Sequence, residues 1–259
     1  MKHAGRHRTG MNGVSRRRLL SVAAGGIACM ALPSVRLPAA QENRRGQRKK
    51  KGADGLFGSR EIMSSDMSKF AKWADLWRRN TLPRTETVAP ARLARPGRSA
   101  FGRDCTPQER LSCARAEWDA LIESQAGTPP LDILRAVNRY MNRSPYIVDP
   151  VNWGMPDYWA TPDEFFLRDG DCEDYAISKY VTLKRIGFAP DSMRLVILQD
   201  ENLKAAHAIL SIELDGEIYI LDNQVDAVLP HGRILHYRPV YSINESHWWL
   251  HQVRRFSRF

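Results

Sequence analysis

Ala206-His207-Ala208-Ile209-Leu210-Ser211-Ile212-Glu213-Leu214-Asp215-Gly216-Glu217-Ile218-Tyr219-Ile220-Leu221-Asp222-Asn223 holds two apolar-rich runs on either side of Asp215-Gly216. An Asp-Gly pair between such runs is a two-residue hairpin signal, because both central positions of the tight turn need left-handed backbone. With that turn Leu214 faces Glu217, so Ile209 faces Asp222 and His207 faces Gln224. His207 and Asp222 then share one sheet face at diagonal positions. Such positions lie roughly 7–8 Å apart between backbones, within reach of two side chains pointing at each other.

Working outward, Arg194–Gln199 reads as another strand, and Tyr237–Val253 as an aromatic strand with closing segments. Upstream the apolar period becomes helical. Phe70, Trp73, Ala74 and Trp77 predict a helix over 67–79. Leu111, Ala114, Trp118, Leu121 and Ile122 predict one over 109–124. Ile133, Leu134, Val137, Tyr140 and Met141 predict a third, from Thr128 to Ser144. Residues 52–67 read as an extended lead-in, 80–104 (with Pro83, Pro90 and Pro96) as a loop, and Tyr146–Trp159 as an aromatic loop. Thr161-Pro162-Asp163-Glu164 starts a brief helix that Gly170 is expected to break. Another helix runs from Glu173 to Ile186 with Gly187 as its cap. Helices first and an antiparallel sheet after them make an α+β domain.

The chain has 259 residues, 43% of them hydrophobic, enough for one ordinary core and too apolar for a wholly disordered chain. Its formal net charge of +10 would suit a nucleic-acid partner. Position removes that reading: residues 1–51 hold 13 of the 39 Lys/Arg and one of the 29 Asp/Glu, so the remainder is close to neutral. Ser15-Arg16-Arg17-Arg18 precedes an apolar run from Leu19 to Val35, and Pro38-Ala39-Ala40 offers small residues for cleavage. Residues 1–41 therefore read as a signal peptide of the twin-arginine type and predict export to the periplasm, with an uncleaved anchor as the alternative. Residues 42–54 read as a basic disordered tail, and 55–259 as the working domain.

Export gives the cysteines meaning. Cys105 and Cys113 bracket a short loop and are expected to pair in an oxidising compartment. Cys29 leaves with the leader, so Cys172 is left over, and an odd cysteine in an exported protein is a candidate reactive thiol. Asp171 is placed to N-cap the next helix, which sets Cys172 at the helix N-terminus, where unpaired N–H groups favour a thiolate. Asp171, Glu173 and Asp174 oppose this by like charge, and a nearby cation or metal ion would resolve the conflict. An imidazole at 207 held by a carboxylate at 222 can take a thiol proton, which is a nucleophile, base and orienter set. Singly, each residue has a plainer reading: an inert buried cysteine, a satisfied core histidine, an aspartate capping a turn. Together they are far more specific. His247 and His251 lack a third ligand and read as part of a packing segment, and Trp73, Trp77 and Trp118 read as core anchors.

Trp153-Gly154, Asp157-Tyr158-Trp159-Ala160-Thr161-Pro162, Gly170-Asp171-Cys172-Glu173-Asp174-Tyr175-Ala176-Ile177-Ser178-Lys179-Tyr180, His207-Ala208-Ile209-Leu210 and Leu221-Asp222-Asn223 together resemble the bacterial transglutaminase-like cysteine peptidases. This family includes the periplasmic LapG-type proteases that release surface adhesins. The resemblance spans roughly 55–245 and is most specific over Tyr158–Tyr180. It implies a papain/transglutaminase-type fold with Cys172 as nucleophile, His207 as general base and acid, and Asp222 as orienter. It implies calcium, with Asp171, Glu173 and, less directly, Asp174 as metal ligands. Asp215 is a further candidate, and an ordinary acidic helix cap is the plainer reading of the cluster. The oxyanion hole is expected to use the Cys172 backbone N–H and an upstream donor, for which Trp159 is a candidate as well as a packing aromatic. The implied substrate is an extended segment of a cell-surface protein such as an adhesin, and the implied partner an inner-membrane regulatory receptor. Acyl transfer to an amine on the same triad, and a non-catalytic binding module of the same fold, are the competing readings.

Overall fold

The computed structural model describes residues 55–81 and 99–252. The leader, the basic tract and the proline-rich part of the 80–104 loop lie outside the described residues. The helices are α1 (Ala71–Asn80), α2 (Arg110–Ser124), α3 (Pro130–Met141), α4 (Asp149–Asn152), α5 (Pro162–Arg168) and α6 (Cys172–Ile186). The strands are β1 (Arg60–Ser64), β2 (Met193–Asp200), β3 (Ala205–Leu214), β4 (Glu217–Leu221), β5 (Leu229–Pro230), β6 (Tyr237–Ile243) and β7 (Trp248–Gln252). The strands form one antiparallel sheet in the order β1-β7-β6-β2-β3-β4-β5. The α+β expectation holds.

The deciding hairpin has the register its turn requires, from Leu214↔Glu217 to Leu210↔Leu221. Asp215 and Gly216 both take positive φ, 53° and 81°, as a tight two-residue turn demands. The ladder stops at Leu221, so Asp222 leaves it where it meets His207. Alternation along the strands gives the sheet two apolar faces. Leu195, Ala208, Leu210, Ile212 and Leu221 join the main core with residues of α1, α2, α3, α5 and α6. Val196, Leu198, Ile209, Ile220 and Tyr237 form a smaller core under Leu56. Helix α6 has an unbroken buried stretch from Asp174 to Leu183, because it runs between the sheet and the other helices.

Several details differ from the sequence reading. The lead-in contains an edge strand, β1, paired with β7 through Arg60↔Gln252 to Ser64↔Trp248. A 3-10 turn at Met67–Lys69 precedes α1, so the α-helix starts at Ala71. A short helix, α4, interrupts the aromatic loop. Asp169, not Gly170, takes the positive φ (62°) that ends α5, and Ser144 Oγ donates to its carboxylate at 2.7 Å. Cys105 and Cys113 form the expected disulfide.

Candidate active site

The approach to Cys172 is built by reciprocal capping. At the start of α5, Thr161 N–H donates to Glu164 at 2.8 Å and Glu164 N–H donates back to Thr161 Oγ1 at 3.4 Å. The poorly exposed Arg79 of α1 pairs with Glu164 and donates to the Trp159 carbonyl, tying α1 to this loop. Gly170 is required by close approach: a Cβ there would sit 2.2 Å from Asp174 Oδ2. That space lets the fully buried Asp174 fold back and accept the Ala160 N–H at 2.7 Å and the Asp171 N–H at 3.3 Å. Asp149 accepts the Tyr158 N–H, and Asp171 accepts the Asp149 N–H at 3.2 Å. Three acids thus knit two loops to the N-terminus of α6.

Cys172 is the first residue of that helix and is partly buried. Its thiol donates to Glu173 Oε2 at 3.2 Å and faces the Ala208 backbone amide, next to His207. Burial, then the charges of Glu173 and Asp171, push the thiol well above its usual range.

His207 Nε2 lies 3.0 Å from Asp222 Oδ1, and both side chains are buried. Asp222 also accepts the Gln224 N–H at 2.9 Å and the Tyr237 hydroxyl at 2.5 Å. Burial works to raise Asp222, but the hydrogen bond and charge of His207 outweigh it and hold the carboxyl below its usual value. With Nε2 engaged, Nδ1 is the ring nitrogen left for a thiol proton. The structure therefore brings His207 to Asp222 as the hairpin register predicts. It turns the thiol to Glu173 rather than into a hydrogen bond with the imidazole. Lys179, seven residues after Cys172 on α6, is fully buried; burial lowers it to about 7 against the opposing pull of Asp222 and Asp226.

The acids at the helix start form two groups whose oxygens lie within 4.8 Å of one another, Asp149/Asp157/Glu173 and Asp149/Asp171/Asp174. Asp149 Oδ1 and Asp171 Oδ1 are buried without hydrogen-bond partners. Burial lifts Asp149 to about 6. Burial, with Glu173 adding to it, lifts Asp171 to about 8. Glu173 and Asp174 are raised as well. Orphaned carboxylate oxygens in a low-dielectric cluster fit a hard cation, which takes oxygen ligands. Asp215 is not brought to this cluster. It lies at the far end of β3 from His207, about 27 Å along an extended strand.

The sequence reading missed Asp149 and Asp157, whose signal was acidity within an otherwise aromatic loop. It also missed Tyr237, which lies 15 residues from the carboxylate it meets. Trp159 packs in the core with its ring 6.1 Å from Trp73. His251, on a strand, is a buried bridge between Ser59 and Ser242. A cleft of about 510 Å³ opens beside His207, lined by Tyr146, Asp200, Leu203, Ala206 and Gln224 among others.

A lone thiol at a helix start, over a sheet that carries a His–Asp pair, belongs to the class of thiol-dependent acyl-transfer enzymes with a helix-on-sheet core. The family model of the bacterial transglutaminase-like cysteine proteinases matches residues 99–251, and the chain belongs to that family. It is a transglutaminase-like cysteine peptidase. Among solved structures, Legionella pneumophila LapG treated with EGTA is 33% identical, with 59% of this chain and 83% of that one covered and a TM-score of 0.50. The structures titled Legionella pneumophila LapG and its calcium-bound form are also 33% identical, each covering 57% of this chain and 83% of theirs, with TM-scores of 0.49. No curated protein matches the chain.

Proposed function

We propose that the protein is an exported cysteine endopeptidase using Cys172, His207 and Asp222, dependent on calcium, that processes a cell-surface or periplasmic protein such as an adhesin. The observation that carries the reading is the buried His207–Asp222 pair, 3.0 Å apart, with His207 on the strand whose next residue, Ala208, turns its amide to the Cys172 thiol. His207 Nδ1 takes the thiol proton, and Asp222, with Tyr237 and Gln224 behind it, fixes the ring and supports the imidazolium. Cys172 Sγ attacks the substrate carbonyl. His207 returns its proton to the leaving amine, and water then hydrolyses the thioester.

Asp149, Asp157, Asp171, Glu173 and Asp174 are the residues that would hold calcium. A bound divalent cation supplies positive charge to carboxylates that otherwise raise the thiol by repulsion. A relative studied in a calcium-bound and an EGTA-treated form accords with this, and the orphaned oxygens of Asp149 and Asp171 support it in this chain. The paired arginines of the leader support export to the periplasm. Regulation by an inner-membrane receptor belongs to the same reading.

The test incubates the protein with an unfolded protein substrate in calcium or in chelator and identifies products by mass. Cleavage that needs both calcium and Cys172 supports the reading. Full cleavage by Cys172→Ala defeats the nucleophile assignment, and full cleavage in chelator defeats the calcium assignment. Substrate–amine conjugates without new termini would turn the reading to acyl transfer.

A further inference from the structure

One wall of the cleft beside His207 belongs to Tyr146, whose side chain is about half exposed there. The residue is anchored to the segment that leads into the nucleophile. It forms a parallel bridge with Gly170, and the neighbouring Ile147 N–H donates to the Gly170 carbonyl at 2.9 Å. Its ring stacks on Tyr175, one helical turn beyond Cys172, at 6.5 Å with 20° between planes. The residue is thus held by its backbone just before the thiol and by its ring just after it. Its hydroxyl lies close enough to Cys172 to interact with the thiol directly.

We propose that the Tyr146 hydroxyl is the side-chain donor of the oxyanion hole, working with the Cys172 backbone N–H. The proposal rests on the reading of Cys172 as nucleophile. When Sγ attacks, a C–S bond forms and the carbonyl π pair moves onto oxygen, where the Tyr146 O–H donates to it. When that pair returns, the C–N bond breaks and the amine leaves with the proton carried by His207. A donor here must keep its own proton, and Tyr146 does. A phenol ordinarily holds its proton up to about pH 10, and partial burial in the cleft wall holds it further. Trp159 is placed less well for this task, because its ring is packed in the core against Trp73.

The experiment uses the full chain in calcium with two probes, a peptide aldehyde and iodoacetamide. The aldehyde adds reversibly to the thiol and places an oxygen where the oxyanion forms. Alkylation by iodoacetamide forms no oxyanion. Tyr146→Phe is expected to weaken aldehyde binding by about 10²-fold and to lower kcat on a cleaved peptide by a similar factor, with KM and the alkylation rate near wild type. A structure of the wild-type aldehyde adduct is expected to place the phenol oxygen within about 3.1 Å of the adduct oxygen. The inference is overturned if Tyr146→Phe binds the aldehyde as tightly as wild type. It is also overturned if alkylation falls by the same factor as aldehyde binding, if Trp159→Phe alone carries the loss, or if the phenol stands clear of the adduct oxygen. A wild-type protein that forms no thiol adduct with the aldehyde would instead sink the nucleophile reading itself.

Discussion

Two sets of buried acids flank the thiol, and the protein treats them in opposite ways. Asp222 receives a phenol, a backbone amide and an imidazole, with the charge of Lys179 further off, and is held below the usual carboxylate range. Asp149, Asp171, Glu173 and Asp174 accept backbone amides but crowd one another, and all four are raised. Their cationic neighbour, Lys72, is half exposed and paired with Asp157. A buried charge is tolerated when partners and hydrogen bonds replace water. The first set is completed by the chain itself. The second has oxygen atoms left over, at Asp149 and Asp171, and these are the atoms the proposed calcium would meet.

The sharpest way to break this comparison is through the completed set. Asp222→Asn should lower kcat by about 10³–10⁴-fold, because an amide neither fixes the same imidazole tautomer nor supports the imidazolium. Cleavage assays at matched enzyme concentration read this. A loss below tenfold would mean that His207 does not depend on Asp222. The second set should respond to ions instead. Calcium at about a hundred times its Kd should add about 2.7 kcal/mol. For a domain of this size that is roughly 5–10 °C in melting temperature. The ion-free protein should also show a particular pH slope. The folded values of these acids lie above their unfolded values, so the stability they contribute is complete below about pH 4 and is lost as pH rises through about 6 for Asp149 and about 8 for Asp171. Chelator-treated melts from pH 4 to 8 should fall steadily, and calcium should flatten the fall.

The first set was legible in the sequence and much of the second was not, for a physical reason. Hairpin register follows from a two-residue turn, so Asp215-Gly216 suffices to bring residue 207 beside 222. The helix start at Cys172 follows likewise from Asp171 and the period after it. Asp149 and Asp157 reach the cluster only because Gly170 leaves room for Asp174, because Asp169 accepts a positive φ, and because Arg79 draws the Trp159 loop inward. No local period encodes such an arrangement. The same limit hid Tyr237, on a strand reached after a short strand and a 3-10 turn, and β1, whose pairing with β7 joins the two ends of the described chain.

Two single-atom changes sharpen the comparison further. Asp149→Asn removes a repelling charge yet keeps an oxygen for the Tyr158 N–H. It should raise the ion-free melting temperature above about pH 6 and shrink the gain from calcium, an opposite pair of effects that simple loss of packing does not produce. Tyr237→Phe should act on the other set and with the smallest effect, about 1.5 kcal/mol, the size of one hydrogen bond to a charged group. Its sign with pH is reversed. Asp222 has a depressed folded value, so the stability it contributes is present above the unfolded value near 3.8 and lost as pH falls through the folded one. Removing the phenol raises that folded value, so the acid edge of the melting profile should move to higher pH while the ion-free decline between pH 4 and 8 stays as it was. Melts of the two variants in chelator from about pH 2 to 8 separate the two sets. If Tyr237→Phe changes the decline, or Asp149→Asn moves the acid edge, the acids act as one coupled network and the division between them fails.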